Sequence, residues 1–290
     1  MEKGFLTGQP ERRHRMNHCT ELIKYPRTPH LSGSRLQPGD EDLSQIPFGD
    51  LQGKHLVVEE KCDGANSAIS FGREGDLRLQ SRGHYLTGGY RERHYHLLKQ
   101  WANVHRAAFY EVLGDRYILY GEWMYAKHSV YYDALPHYFL EFDILDRENG
   151  CFLDTPSRHK LIKGLPVVSV PVLRAGVFAD QKELLSLIGP SLYIKPGHME
   201  RLRAYCEKEG LDADRQCRET EGSGLMEGLY LKVEEGGFVT QRLKYVRASF
   251  LQCIQGSDSH WIDRPIVPNR LSISVEELFL PELPKRGEGI

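Results

Sequence analysis

The chain has 290 residues, 40% of them hydrophobic and 27% charged, with a formal net charge of −2. That length buries a sizeable core and fits one large domain with an appendage. The charge excludes a wholly basic packaging protein, because affinity for a polyanion must then come from a local patch of cations. No stretch approaches the ~20 apolar residues that cross a bilayer, and residues 1–15 are polar and basic without the apolar core of a secretory signal. A cytoplasmic location without a membrane partner is expected. The six cysteines (Cys19, Cys62, Cys151, Cys206, Cys217, Cys253) lie far apart with no Cys-x-x-Cys pair, so neither a disulfide framework nor a zinc site is expected.

Residues 1–22 read as a loosely ordered basic lead-in, with Arg12, Arg13, His14 and Arg15 adjacent. Residues 25–49 are rich in Pro, Ser, Gly and Asp, which predicts loop. Together they suggest a leader over 1–50, ahead of a domain over 51–247 and a short extension over 248–290. Regular structure is expected from the β-branched run at 55–58, with further strands over 67–71 and 77–80 around the turn signal at 72–76. Apolar residues at Leu97, Trp101, Val104, Ala108 and Val112 predict one amphipathic helix ended by Gly114. Strands are predicted over 117–123 and 138–145, and helices over 156–163, 180–188 and 198–209. A hairpin of 228–234, turn 235–237 and 238–246 closes the pattern. Strand pairs with helices inserted between them predict an α+β domain of antiparallel sheets with flanking helices.

The chemistry centres on Glu59, Glu60, Lys61, Cys62, Asp63, Gly64, Ala65 and Asn66, which follow a predicted strand. A lysine attacks only as the neutral amine, and its ordinary pKa is near ~10.4. Desolvation or a nearby cation lowers that value, and a glycine lets backbone approach a ligand closely. Taken alone, Lys-x-Asp-Gly fits a surface β-turn equally well.

Lys61, Asp63 and Gly64 resemble the nucleotide-attachment motif of the covalent nucleotidyltransferases, the superfamily of DNA ligases, RNA ligases and mRNA capping enzymes, and further matches follow in the family's order. Ser81, Arg82 and Gly83 resemble the motif whose arginine contacts the ribose. Gly121, Glu122 and Trp123 resemble the next, whose glutamate also faces the sugar. The run at 139–144 resembles the motif whose aromatic ring, here Phe142, stacks on the base. Glu227 to Lys232 resemble the fourth core motif, in which Glu227 would help hold a metal and Lys232 would point to the phosphate. Arg242 and Lys244 resemble the closing basic pair at the α-phosphate, with Lys244 and Arg247 as an alternative alignment.

The resemblance covers residues 56–247. It implies an ATP-grasp-like nucleotidyltransferase (ligase) domain without an OB domain, using ATP and Mg2+ (or Mn2+). Lys61, Lys232 and Lys244 would be catalytic and Glu227 would bind metal. Glu60, Asp63, Gly64, Asn66, Arg82, Glu122, Phe142 and Arg242 would bind the nucleotide. Plain alternatives stand beside these: Arg82 as a surface cation and Phe142 as core. Glu122 and Glu227 sit beside apolar residues, where a buried carboxylate is costly without a partner; a metal ion or a ribose hydroxyl would supply one.

DNA ligases and capping enzymes usually carry an OB domain after the last motif, and residues 248–290 are too few for its five-stranded barrel. Asn66, two residues after Gly64, resembles a feature of the RNA ligases, and the leader from Tyr25 to Leu31 and the tail stretches 248–252 and 259–270 resemble a group of bacterial RNA-ligase-like proteins often encoded beside a polynucleotide kinase. The resemblance thus implies an ATP-dependent RNA ligase that joins 5′-phosphate and 3′-hydroxyl ends through lysyl-AMP in RNA repair. A polynucleotide kinase/phosphatase would act in the same pathway. A DNA or general polynucleotide ligase, a capping-type guanylyltransferase and a catalytically silent nucleic-acid binder are the other readings; intact Lys61, Glu122, Glu227 and Lys232 argue against the last.

Three stretches carry two readings each. Arg27 and His30, on a proline-stiffened loop, would contact the β- and γ-phosphates or belong to a docked structural loop. Residues 125–132, mixing Tyr, Lys and His, would offer stacking surfaces to a single strand or form a tyrosine-rich strand and loop. Arg91, Arg93, His94 and His96 would contact phosphate or form a solvated helix face.

Overall fold

Val57 and Val58 lie in a strand as the sequence predicts, although shorter elements precede it, and the computed structural model describes residues 21–36, 39–250 and 265–281. The calls on Arg12, Arg13, His14, Arg15, Cys19 and Cys253, and the stretch 259–264 of the tail, lie outside the described residues. A bent sheet dominates. Its first wing holds β3 (Leu56–Lys61), flanked by β10 (Val172–Gly176) and β11 (Gly228–Glu235), with β12 (Phe238–Val246) beyond β11. Its second wing runs β8 (Cys151–Leu153), β7 (Phe139–Asp146), β6 (Tyr117–Trp123), β4 (Ala65–Phe71) and β5 (Leu77–Ser81). The wings join where β12 meets β8, through Phe238–Leu153 and Val239–Phe152.

These pairings are antiparallel, as predicted. Three parallel pairings were not: β1 (His30–Leu31) with β12, β1 with β2 (Gln45–Ile46), and β7 with β9 (Val168–Ser169). The leader was expected as loop, yet through β1 it extends the first wing, with His30 opposite Lys244. The residues after 264 also pack on this body: Asn269 accepts the Tyr132 N–H at 2.9 Å and donates to the Met124 carbonyl at 2.7 Å.

Period two sorts the first wing. Leu56 and Val58 join Leu229, Leu231, Val233 and Leu243 in a core that Leu31, Leu51, Phe178 and Leu184 complete, the last on α4 (Gln181–Leu185). Glu59 and Lys61, opposite in parity, look across to the second wing, as do Tyr230 and Lys244. The second wing rests on the largest core, where Ile69, Phe71, Leu119, Phe139 and Ile144 meet Leu98, Trp101, Phe109 and Leu113. Between the wings lies an aromatic seam of Tyr25, Tyr120, Phe142, Phe152 and Tyr230.

The single helix expected over 97–113 is two: α1 (His96–Val104) and α2 (Arg106–Leu113), preceded by a 3₁₀ turn at Tyr90–Tyr95. His105 breaks it at φ −94°, ψ 10°, and its Nε2 meets the Leu278 carbonyl at 3.0 Å. The buried face also differs from the predicted one: Val104 is exposed, and Leu98, Ala102 and Phe109 are buried instead. Gly114 ends α2 at φ 49°, a conformation that favours glycine. The other predicted helices appear as α3 (Thr155–Leu161), α4 and α5 (His198–Lys208), with α3 and α4 N-capped by Asp154 and Asp180. A short α6 (Ala213–Arg218) was not predicted. Among the described residues no helix is long and apolar enough to cross a membrane.

Candidate active site

Between the wings opens a cavity of about 430 Å³, lined from β3, β4, β5, β6, β7, β11 and β12. Small-molecule sites usually fall in the range of roughly 300–1,000 Å³. Lys61 ends β3 at its rim, and its Nζ donates to Glu227 Oε2 at 2.6 Å. Register brings the two together, since Gly228 pairs with Lys61 across β3 and β11. Gly228 itself has no room for a side chain, because a Cβ there would stand 1.8 Å from the Tyr245 carbonyl oxygen. Gly64 is equally constrained: a Cβ would lie 2.7 Å from Met124 Sδ and 2.8 Å from the Trp123 carbonyl oxygen. These contacts let β4 and β6 close on the backbone beside Lys61.

Electrostatics overturn one expectation about Lys61. Burial lowers its pKa, but the Glu227 charge and hydrogen bond, with Glu122 and Asp63 behind them, raise it above the ordinary value. The lysine therefore rests as an ammonium ion, held ready rather than already activated. The carboxyls answer in kind. Burial pushes Glu122 up to about 8, against the pull of Lys61 and with help from Asp63 and Glu227. Burial also raises Glu227, with Lys61 opposing. Asn66 faces Glu122 across β4 and β6, and among the described residues its Oδ1 is buried with no hydrogen-bond partner. An orphaned buried acceptor is costly, and here it lies on the wall of a cavity whose contents could satisfy it.

The cavity also gathers Arg82, which is exposed, Phe142 and Lys244. The Phe142 ring stands edge-on to Tyr25 at 5.0 Å between centroids. Lys244 donates to Asp40, which also meets His30 Nε2 at 3.2 Å and Arg27 at 3.5 Å. Burial lowers the Lys244 pKa and Asp40 opposes that shift. A carboxylate thus stands among two cations and the His30 imidazole, whose pKa burial lowers. Asp63 lines the cleft but uses Oδ2 to accept the N–H groups of Ser129 (2.7 Å) and Val130 (3.1 Å), so its carboxylate also holds a neighbouring loop.

Three site residues stand elsewhere than the motifs suggested. Glu60 has the parity of Val58, so its carboxylate points away from Lys61 and accepts from the Ser191 hydroxyl and, at 3.3 Å, the Leu192 N–H. Only the rest of the residue borders the cleft. Lys232 is fully buried beneath the cleft floor, not on its wall, with Nζ 2.9 Å from Glu59 and 3.4 Å from Asp143. Arg242 also lies off the cleft: it donates to Asp143 at 2.8 Å and its guanidinium stacks 3.8 Å above the Phe152 ring. Of the two alignments of the last motif, Lys244 reaches the cleft, whereas Arg247 pairs with Glu221 at 2.8 Å.

The stretches with two readings also separate. His30 is fully buried and bonded to Ser34 and Asp40, and Arg27 is engaged by Asp42 at 2.6 Å, so both dock the leader. Tyr131 and Tyr132 are core, the latter accepting the Asp63 N–H at 2.9 Å, while His128 reaches the cleft. Arg91 lines the cleft and His94 is buried.

Sequence reading missed the layer under the cleft. Arg158, fully buried on α3, donates to Glu59 and Glu141 at 2.7 Å each, and Glu59 in turn holds Lys232. Tyr25 completes the layer, its hydroxyl 2.5 Å from Asp143 and 2.7 Å from the Tyr230 hydroxyl. Glu59 was findable, since residues two apart on a strand share a face. Arg158 carried no local signal.

A divalent cation fits this donor set. Magnesium takes one or two carboxylates together with substrate phosphates and water rather than an all-protein cage. Glu227, beside the raised carboxyl of Glu122 and the orphaned Asn66 oxygen, offers such an incomplete oxygen site; among the described residues no group of three His, Cys, Asp or Glu is clustered for a metal.

Structures of the Naegleria gruberi RNA ligase are similar to this chain. A point mutant with ATP and Mn shares 18% identity at a TM-score of 0.49, over 79% of this chain and 58% of that one. The ligase with PPi shares 18% at 0.47, over 85% and 64%. The chain therefore spans about three fifths of those solved chains. No curated protein matches the sequence. A family model described as RNA ligase matches residues 54–246, from the start of β3 to the end of β12 and so across every strand that builds the cleft: the chain belongs to the RNA ligase family.

Proposed function

We propose that the chain is an ATP-dependent RNA ligase that joins 5′-phosphate and 3′-hydroxyl ends through a lysyl-AMP intermediate. The observation that carries this is the partly buried pairing of Lys61 with Glu227, 2.6 Å apart at the rim of a nucleotide-sized cleft. In the first step neutral Lys61 Nζ attacks the α-phosphorus of ATP, a P–N bond forms and pyrophosphate leaves. Before that, the ammonium gives up its proton to solvent. A 5′-phosphate end then takes the AMP and frees Lys61, and a 3′-hydroxyl displaces AMP to form the phosphodiester. Catalysis of this kind rests on positioning and charge neutralisation.

The residues divide as follows. Phe142 would stack on the base, while Asn66, Glu122 and Arg82 would meet the ribose. Asp63 and Gly64 would shape the backbone beside Lys61. Lys244 would offset charge on the α-phosphate once Asp40 gives way to the more highly charged ligand. Glu227, with phosphate oxygens, would hold Mg2+ or Mn2+, which when bound neutralises phosphate charge. Lys232 and Arg242 become positioning residues, acting through Glu59 and Asp143. The RNA would be gripped by this domain, and a kinase/phosphatase that prepares 5′-phosphate and 3′-hydroxyl ends would supply the substrate.

The test is self-labelling with ATP or GTP carrying label in the α-phosphate. Labelled protein with ATP that disappears in Lys61→Ala supports the reading. Label that survives in Lys61→Ala sinks the nucleophile, and label taken only from GTP reassigns the chain to capping-type chemistry. Matched strands with ribose or deoxyribose at the 3′-hydroxyl side then test RNA preference, since the 2′-hydroxyl is the distinguishing contact.

A further inference from the structure

Beside the cleft, the 3₁₀ turn Tyr90–Tyr95 carries side chains that the cleft chemistry does not use. In such a turn residues three apart eclipse, so Tyr90, Arg93 and His96 share one edge. Tyr90 is 76% exposed. The Arg93 guanidinium lies 4.7 Å from its ring centroid and donates to its hydroxyl, which fixes the pair as one stacked unit. His96 meets the Gln100 amide at 3.2 Å. Arg93, His96, Gln100 and Tyr125 line a shallow groove of about 530 Å³ with Ile266 and Val275, and among the described residues no carboxylate lines it. Arg91, on the same turn, faces the nucleotide cleft instead. The turn therefore stands between the two concavities.

Its charge is one-sided. Glu92, the one acid of the turn, is buried, where it takes Lys99 and accepts the N–H groups of Thr87 (3.1 Å) and Gly88 (2.8 Å). What faces outward is cationic or aromatic, on a chain whose net charge is −2. Phosphates need the cations, and unpaired bases need flat faces and apolar floors of the kind that Tyr90, Tyr125, Ile266 and Val275 provide. From Arg91 to His96 the turn rises ~10 Å at ~2 Å per residue, which matches about three nucleotides at ~3.4 Å each.

We propose that this edge and groove bind the single-stranded RNA segment that leaves the cleft, holding the nucleotides next to the end being joined. The proposal rests on the RNA-ligase reading, and its test separates the two. Fluorescent single-stranded RNA is titrated into the full chain by anisotropy at several salt concentrations, with wild type, Tyr90→Ala and Arg93→Glu. In parallel, each protein is labelled with α-labelled ATP. Loss of the Tyr90 stacking face should weaken RNA binding about tenfold. Arg93→Glu should flatten the slope of log affinity against log salt by about 0.7, the signature of one lost phosphate contact on a single strand. Self-labelling should stay at the wild-type level in both variants. RNA affinity and salt slope unchanged in both variants would overturn the surface. A wild type that binds RNA but takes no label from ATP would instead count against the ligase reading and leave the surface standing.

Discussion

Replacing Glu227 with Gln should make Lys61 more reactive toward a simple electrophile while stopping its reaction with ATP. The pair is 2.6 Å apart, with Glu227 1% exposed and Lys61 21% exposed. Two unit charges ~4 Å apart at an effective dielectric of ~20 attract by ~4 kcal/mol, and partial exposure of Lys61 argues for ~3 kcal/mol. Each ~1.36 kcal/mol is a factor of ten in the ratio of amine to ammonium, so the neutral fraction should rise on the order of a hundredfold. Burial still disfavours the charge in the variant, and Glu122 and Asp63 only partly oppose it. The assay treats the intact protein with a limiting amine-acylating reagent at neutral pH and quantifies the Lys61 peptide by mass spectrometry. Lys208, with 81% of its side chain exposed, serves as the internal control. ATP-dependent labelling should fall in the same variant, because the carboxylate charge that would share a metal with the phosphates is gone. Equal acylation of Lys61 in wild type and Glu227→Gln would refute the reasoning, since the carboxylate would then not be holding the proton on the nucleophile.

Gly64→Ala should cost ~1–3 kcal/mol by overpacking, because the Trp123 carbonyl 2.8 Å from the new Cβ is backbone and cannot swing aside; thermal denaturation reads the loss, and an unchanged melting temperature would mean the close approach is not needed. Arg158→Met should destabilise by ~3–5 kcal/mol, since it leaves Glu59 and Glu141 buried without their shared cation. That deficit should shrink as pH falls, because burial already raises Glu59 despite Lys232 and Arg158, and a deficit constant with pH would argue against the charge account. For Glu122, the folded value near 8 lies above the unfolded one, so the folded state binds the extra proton. Its contribution is complete below the ordinary carboxyl range and is lost as pH rises through about 8; denaturant titrations should show stability falling over that window in wild type and less so in Glu122→Gln.

Local physics made much of the fold legible. The β-branched start of β3, the β11–β12 hairpin with Gly236 and Gly237 at its turn, and β6 were readable because period and turn chemistry are carried by neighbours in sequence. The helix at 96–113 was misread for the opposite reason. Its apolar spacing fits one continuous face, but the break at His105 is tied to Leu278, a contact 173 residues away in sequence. The pairing of β1 with β12 likewise depends on the leader returning to a distant edge, which its loop-like composition hides. The candidate site follows the same rule. Lys61 and Glu227 were each visible in a motif, whereas their contact needed the register of β3 against β11.

What motifs conceal is depth. The charged residues they contain fall into two strata, and among the described residues of the lower one Glu59 alone meets the cleft. Lys61, Glu122, Glu227 and Lys244 line it, while Lys232 and Arg242 sit below with Glu59, Asp143, Arg158 and Glu141. The lower stratum holds three cations against three carboxylates, so it closes on itself electrostatically and needs no ligand. The upper stratum does not close: among the four residues one lysine must satisfy a raised carboxyl at Glu122 as well as Glu227, and the other leans on Asp40 from the leader. Burying a balanced set costs desolvation but leaves no driving force to bind anything. A set that borrows Asp40 from the leader and leaves an orphaned oxygen at Asn66 retains one. That difference, rather than the presence of lysine or glutamate as such, explains why the cleft is where an anionic nucleotide and its cation would lower the free energy, and why Lys232 serves the site by fixing Glu59 and Asp143 beneath it.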